Sequence, residues 1–474
     1  MKVLSPMDAV WMYVDGPQTP MHVASLCIYS LPEGAPEGWL QGLIEKLRSH
    51  REFTAPYNLK LASPRLKSVL PTWVEAEDID LDYHFRHSAL AKPGGERELG
   101  VLISRLHSHP MDLSQPLWEV HVIEGLEGNR FAIYTKIHHS LVDGVGGIRL
   151  LIKALSADPD AREVVAPWSV GTRRSGPLPA RQHAASLSKL WSGVKDRTTA
   201  MPGVAKSFAS MARDAVLRAP DVALPFATPR SLLNGPVSAQ RRFATQHYTL
   251  PRVKAVARAA GVTVNDVFLG LSAAALRRYL GELGALPERP LTAGVPVSVR
   301  PKGDEATANA ISFIFANLNT HIEDPVARLR AIGESTRLAK ERLQDLPRSG
   351  IADYTSMLMT PYILQVFSGL GGHMRPVFNL TISNVPGPDR PLYLCGARLE
   401  HLYPVSVLLH GQALNITSAS YAGQFNIGFT GCRKTLPHMQ RLAVFTGEAL
   451  EELERSLRLG AKAPLEARAV AEQR

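Results

Sequence analysis

Two adjacent histidines followed by an aspartate and a glycine, His138-His139-Ser140-Leu141-Val142-Asp143-Gly144, close an extended run in a chain of 474 residues. A neutral imidazole, with a pKa near 6.5, can take a proton from a hydroxyl at physiological pH, a role worth about 10²–10⁴ in rate. Adjacent strand residues point to opposite faces, so one of the two histidines at most shares a given cavity. The odd positions Phe131, Ile133, Thr135, Ile137 and His139 form the more apolar face, whereas Tyr134 and Lys136 accompany His138. His139 is therefore the candidate base for an enclosed site. Asp143, across a turn, can fix the loop or the ring, and Gly144 permits a turn with positive φ. The bland alternative is a structural histidine pair. A metal site built from His138, His139 and Asp143 is disfavoured because strand-adjacent ligands diverge, and no metal is expected.

These residues need elements to hold them. LWEVHVIEGLEGNRFAIYTKIHH reads as a hairpin turning at Gly128-Asn129, and GGIRLLIKALSA after it as a helix. EGWLQGLIEKLRSH places Leu40, Leu43, Ile44 and Leu47 on one helical face. Later in the chain GVTVNDVFLGLSAAALRRYL, DPVARLRAIGESTRLAKERL and HMQRLAVFTGEALEELERSL read as helices, the second with Asp324 as N-cap and Pro325 at its first position. LTAGVPVSVR, VFNLTISNV, ALNITSASY and QFNIGFTG read as strands. The expected organisation is an α/β half over 1–165, a long crossover with helical patches near 185–218 over 166–238, and a second α/β half over 239–474. Two such halves enclose a cleft, where ligand sites tend to lie.

Composition narrows the function classes. With 45% hydrophobic and 20% charged residues the chain is globular. No stretch approaches the roughly 18 uncharged apolar residues of a membrane span, and Asp8 interrupts the start where a secretory signal needs an apolar run, so a cytoplasmic location is expected. Cys27, Cys395 and Cys432 are too scattered for a disulfide framework or zinc site and are expected to be buried, inert thiols. Residues 162–242 hold thirteen Lys or Arg against four Asp or Glu, nine of the ten net positive charges. That segment should attract something anionic: a membrane surface or a phosphorylated co-substrate, with nucleic acid excluded by the lack of interleaved aromatics or a binding motif. There is no GxSxG, no P-loop and no complete dinucleotide loop.

HHSLVDG matches the HHxxxDG motif of the CoA-dependent acyltransferase superfamily. The surrounding sequence resembles the bacterial wax ester synthase/diacylglycerol acyltransferase (WS/DGAT) family. LSPMDAVWMYVDGPQTPMHVASL, PLWEVHVIEGL, VNDV, PVSVR, NLTISNVPGP, YLCGARLEHLYPVS and GQALNITSASYAG carry the resemblance in order from residue 4 to about 430. It implies two CoA-dependent acyltransferase-like domains with a tunnel between them, and transfer of an acyl group from acyl-CoA to a fatty alcohol or diacylglycerol. Acyl-CoA would be a co-substrate, and no permanently bound cofactor is implied. His139 would be the general base and Asp143 structural, with Arg300, at the end of PVSVR, as its expected partner.

The same resemblance marks further residues. Asn265 and Asp266 match a motif near the site, although Thr263 with Asp266 also reads as a capping box. Pro116, Leu117 and Trp118 would shape the acyl or acceptor tunnel. Ser383 and Asn384 would hydrogen-bond the thioester or pantetheine, against the plain reading of a turn. Arg241 and Arg242 would meet CoA phosphates or sit solvated at the surface. Gly146-Gly147 stand where Ser or Ala is frequent, and Ala308-Asn309 where Gly-Asn is. A lipid acceptor implies peripheral contact with the inner membrane or lipid inclusions. The competing readings are a superfamily or condensation-type enzyme acting on a non-lipid acceptor, and a catalytically silent lipid-surface protein.

Overall fold

The computed structural model describes residues 2–4, 6–67, 71–171, 228–298, 311–344, 348–369 and 371–459. The first half runs β1 (Lys2–Val3), α1 (Pro6–Val14), β2 (His22–Ser30), α2 (Trp39–Ser49), β3 (Leu59–Leu61), β4 (Thr72–Glu75), α3 (Leu81–His84), β5 (Phe85–Ala89), α4 (Glu96–Ser108), β6 (Trp118–Leu126), β7 (Arg130–His138) and α5 (Gly144–Lys153). The second runs β8 (Arg241–Thr249), α6 (Leu250–Ala260), α7 (Val264–Glu282), β9 (Thr292–Ser298), β10 (Ile311–Asn317), α8 (Pro325–Gln344) and α9 (Arg348–Phe367). It continues through β11 (Leu380–Pro386), β12 (Tyr393–Leu394), β13 (Ala397–Val405), β14 (Leu414–Tyr421), β15 (Gln424–Cys432) and α10 (Arg441–Ser456).

Gly128 and Asn129 turn the β6–β7 hairpin with φ of 74° and 58°, left-handed backbone that these two residue types accept at least cost. The hairpin sits inside a six-stranded sheet ordered β12-β13-β2-β7-β6-β5. A second six-stranded sheet is ordered β10-β9-β11-β14-β15-β8, with β11 parallel to both neighbours. α7, α8 and α10 pack on it, and α7 is buried nearly all round, which is why its sequence shows little amphipathic stripe.

The contiguous division at 165 and 239 does not describe the sheets. β12 and β13, from the second half of the chain, complete the first sheet, β13 pairing antiparallel with β2. Where β13 crosses β15, a Cβ on Gly428 would lie 2.0 Å from the Pro404 carbonyl oxygen, so this approach requires glycine. The start of the expected crossover also belongs to the first core. Trp168 is fully buried, stacks on Trp118 at 5.6 Å and donates Nε1–H to the His50 carbonyl. Residues 172–227, with the helical patches near 185–218, lie outside the described residues.

A second contact joins the halves. β8 is the edge of its sheet, and its outward N–H groups need acceptors. Ser104 and Ser108 of α4 supply them: each hydroxyl donates to the carbonyl four residues back (2.6 Å) and accepts from Phe243 N–H (2.9 Å) or Arg241 N–H (2.8 Å). The three cysteines are free and buried.

Candidate active site

β7 delivers the two histidines. Its last residue, His138, donates its N–H to the Leu117 carbonyl, and His139 N–H bonds the Met21 carbonyl, so the strand pairing runs to the edge of the motif loop. Asp143 then caps α5. Its Oδ1 accepts from Gly146 N–H at 2.6 Å, and a Cβ at Gly146 would lie 3.0 Å from that oxygen and 3.3 Å from Val142 Cγ1. The glycine therefore lets the cap close tightly, a physical reason for the Gly146 departure noted above.

The rings differ sharply in surroundings. His138 is buried, with its Nδ1 2.7 Å from Ser140 Oγ and accepting Ser140 N–H at 3.2 Å. That bond assigns the ring proton to Nε2, which faces Asp15 Oδ1 at 3.7 Å. Asp15 accepts Met21 N–H (3.0 Å) and pairs with Lys67 (3.2 Å). Burial opposes ionisation of Asp15, but the His138 ring, Met21 N–H and Lys67 outweigh it and hold the carboxyl below its usual range. His139 is half-buried and stacks on Trp11 of α1, ring centroids 4.0 Å apart, its Nδ1 buried without a hydrogen-bond partner. Burial pushes its pKa down to about 4, helped by His138 and opposed by Asp143. The ring is thus neutral at physiological pH.

Both faces of β7 are buried, which the alternation along the strand did not suggest. On the His138 side Lys136 is wholly enclosed and its Nζ lies 2.9 Å from Glu119 Oε2. Burial raises the Glu119 pKa, yet the bond with His121 and the Lys136 charge carry it down to about 2. On the His139 side a small apolar cavity is lined by Tyr29, Phe85, Val120, Ile133 and Leu151.

The other expected site residues fall into three groups. Near the motif loop, Ser383 and Asn384 are half-buried on β11, and Asn384 Oδ1 accepts from Ser418 Oγ at 3.0 Å. The next residue, Val385, packs with Val142 and Ile148, so the second sheet meets α5 here. A Cβ at Gly144 would lie 3.8 Å from Val385 Cγ2.

Supporting the loop from behind are Pro116, Leu117 and Trp118, all buried. Leu117 packs with Met12 of α1, Trp73 and Leu141 of the motif loop, and Trp118 lies between His84 and Trp168 with Nε1–H on the Tyr57 carbonyl. The Leu117 carbonyl accepts His138 N–H at 3.0 Å and so ties this core to the motif loop.

The last group is engaged elsewhere. Arg241 is 2% exposed; its guanidinium donates to the Gln18 (2.9 Å) and Ser238 carbonyls, and burial lowers its pKa to about 10. It pins β8 to the segment after α1, so its expected contact with CoA phosphates is replaced by a structural role. Arg242, the next residue of β8, is half-buried. Asp266 is buried in the capping box: Oδ2 accepts from Thr263 N–H and Oγ1, and Oδ1 from Thr336 Oγ1 at 2.6 Å, tying α7 to α8. Asn265 beside it is half-buried. Arg300 and Ala308-Asn309 lie outside the described residues. Among the described residues no group of three His, Cys, Asp or Glu side chains is placed to hold a metal ion.

Two participants were missed from sequence: Trp11, which covers the His139 ring, and Asp15, which faces His138. Both lie in the MDAVWMYVDG stretch and entered the sequence reading only as part of the family resemblance.

Comparison with known proteins agrees with this geometry. The wax ester synthase/diacylglycerol acyltransferase catalytic domain model matches residues 4–268, and the WS/DGAT C-terminal domain model matches residues 307–454. The O-acyltransferase WSD of Acinetobacter baylyi is 41% identical, over 96% of this chain and 97% of its own. The solved wax ester synthase/diacylglycerol acyltransferase of Marinobacter aquaeolei VT8 aligns with a TM-score of 0.79 and 39% identity, over 96% of this chain and 100% of that one. The first condensation domain of the CDA synthetase, at 18% identity and a TM-score of 0.52 over 95% of each chain, shares the two-domain fold. With both halves matched in order, the chain belongs to the wax ester synthase/diacylglycerol acyltransferase family.

Proposed function

We propose that this acyl-CoA-dependent O-acyltransferase esterifies a fatty alcohol or diacylglycerol to a wax ester or triacylglycerol, with His139 as general base. The observation that carries the reading is a neutral, half-buried imidazole stacked on Trp11, in the loop that leads into α5, whose start meets β11. As the acceptor oxygen attacks the thioester carbonyl, the ring takes the hydroxyl proton; when the tetrahedral intermediate collapses, the C–S bond breaks and the leaving CoA thiolate receives that proton. Proton in and proton out balance, and no covalent acyl-enzyme is needed. A thioester is already activated, so one base and correct positioning suffice.

The electrostatics fit this cycle. Asp143 raises the affinity of His139 for a proton and His138 lowers it, so the imidazolium forms only transiently. Acceptor and product partition out of water, so the enzyme works against a cytoplasmic membrane or lipid-inclusion surface.

The test is thiol release from palmitoyl-CoA with hexadecanol or dioleoylglycerol as acceptor. His139→Ala should lose about 10²–10⁴-fold in kcat/KM with either acceptor while keeping its fold. Wild-type activity in that variant overturns the mechanism.

A further inference from the structure

Half of the ten large apolar side chains left exposed among the described residues gather in one place. Ile363, Leu364 and Phe367 share the outer face near the end of α9, Leu364 being 60% exposed, and Met374 follows in the next loop. Gly371 N–H bonds the Gln365 carbonyl and Gln365 Nε2–H the Arg375 carbonyl, folding this loop back on the helix. The fifth residue, Tyr13 of α1, meets Phe367 with ring centroids 6.1 Å apart.

The rim of this patch is basic. Arg375 and Arg230 are both exposed, and Arg230 reaches the His373 carbonyl. From Tyr354 to Pro388 the chain has no Asp or Glu. An apolar face ringed by arginines suits the boundary of an anionic lipid layer, where the apolar side chains enter the acyl region and guanidiniums meet phosphates. It does not suit a soluble acidic protein, for which an exposed Leu-Phe face is no match.

We propose that the face formed by Tyr13, Ile363, Leu364, Phe367 and Met374, with Arg230 and Arg375 at its rim, docks the enzyme on an anionic lipid surface. The inference rests on the acyl-transfer reading in one respect: the acceptor must come from a lipid phase. The path is short. Tyr13 and Trp11 belong to the same helix, α1, on nearly opposite faces, Tyr13 towards the patch and Trp11 over the His139 ring, so docking through Tyr13 sets the lipid layer against the outer side of the helix that shields the base.

The full-length protein is sedimented with phosphatidylcholine vesicles with and without phosphatidylglycerol. Leu364→Glu/Phe367→Glu should lose about tenfold or more in partitioning, a lower bound for removing two side chains from an apolar phase. Arg230→Glu/Arg375→Glu should lose the preference for anionic vesicles. Transfer to hexadecanol embedded in the vesicles should fall in step in the first variant, while thiol release with water-soluble 1-butanol stays within twofold of wild type. Leu364→Ser/Phe367→Ser, with an unchanged melting temperature, repeats the test without new charge.

Unchanged partitioning of the Leu364/Phe367 variants overturns the proposal and turns attention to the basic segment 162–242, as does a wild-type dimer that these substitutions split, which would make the face a protein interface. If wild type releases no thiol with any alcohol, the acyl-transfer reading fails, whereas vesicle sedimentation still decides the docking face.

Discussion

At His138 the ring is held at Nδ1 by Ser140 and faces the Asp15 carboxylate across 3.7 Å at Nε2, whereas His139 has the Trp11 ring against its face and an unpartnered Nδ1. One residue of separation along β7 thus divides the pair into a fixed support and a free base. Asp15 connects that support to Lys67 and to the end of α1. Removing its carboxylate takes the acceptor from Met21 N–H and the facing charge from His138 Nε2–H, and leaves the Lys67 ammonium only the Asp15 backbone carbonyl at 2.8 Å, in surroundings where an unmet partner costs about 1–3 kcal/mol. Asp15→Ala is therefore expected to lower the unfolding free energy obtained from urea titration by that amount and to reduce kcat more than the KM for acyl-CoA. A variant with wild-type stability and kcat would show that Asp15 does not hold the His138 ring.

Elements act by meeting one another's unfilled hydrogen bonds. The β8 edge would expose N–H groups to any passing strand, and α4 covers it with two serines whose hydroxyl protons are already directed to their own helix. Ser104→Ala should leave the buried Phe243 N–H without an acceptor and destabilise the protein by about 1–3 kcal/mol, read as a lower urea midpoint. Ser104→Thr, which restores the hydroxyl, should recover most of the loss. Equal stability of Ser104→Ala and wild type would mean that packing of Leu99 and Ile103 against Phe243 alone holds α4 to the second sheet.

Over the whole molecule the buried histidines set a common acid response. His107 is held near 3 and His139 near 4 by burial, and His22, His84 and His121 are also lowered by it. The unfolded chain binds these protons near pH 6.5 while the folded chain does not. Between pH 6.5 and about 4 the unfolded state therefore holds more protons, and stability falls as pH is lowered through that window. Glu119 extends the loss: with its pKa near 2, its contribution is present above the ordinary carboxylate range and disappears as pH falls toward 2. Scanning calorimetry at constant ionic strength should show a melting temperature dropping steadily from pH 6.5 to 4. A level melting temperature across the acid window would contradict the burial of these rings.

Local sequence determined whatever depends on neighbours in the chain: the Gly128-Asn129 turn, the Thr263–Asp266 capping box, the Asp324-Pro325 helix start and the strand ending in the two histidines. Each is a short-range hydrogen-bond or backbone preference, satisfied within a few residues. The ordered motifs likewise made the family resemblance legible. Tertiary structure alone decided that β12 and β13 complete the first sheet, since strand pairing across some 370 residues leaves no local trace. It also decided that Arg241 bonds a backbone carbonyl near residue 18, and that Trp118 lies in a core. A guanidinium or an indole has the same sequence signature at a phosphate, a tunnel wall or a packed interior; what separates these fates is burial and the partner brought there by distant parts of the chain. Trp11 over His139 is the sharpest case, because the ring that covers the base comes from a helix more than 120 residues earlier, and only the packing of α1 against the motif loop through Met12, Leu117 and Leu141 brings the two together.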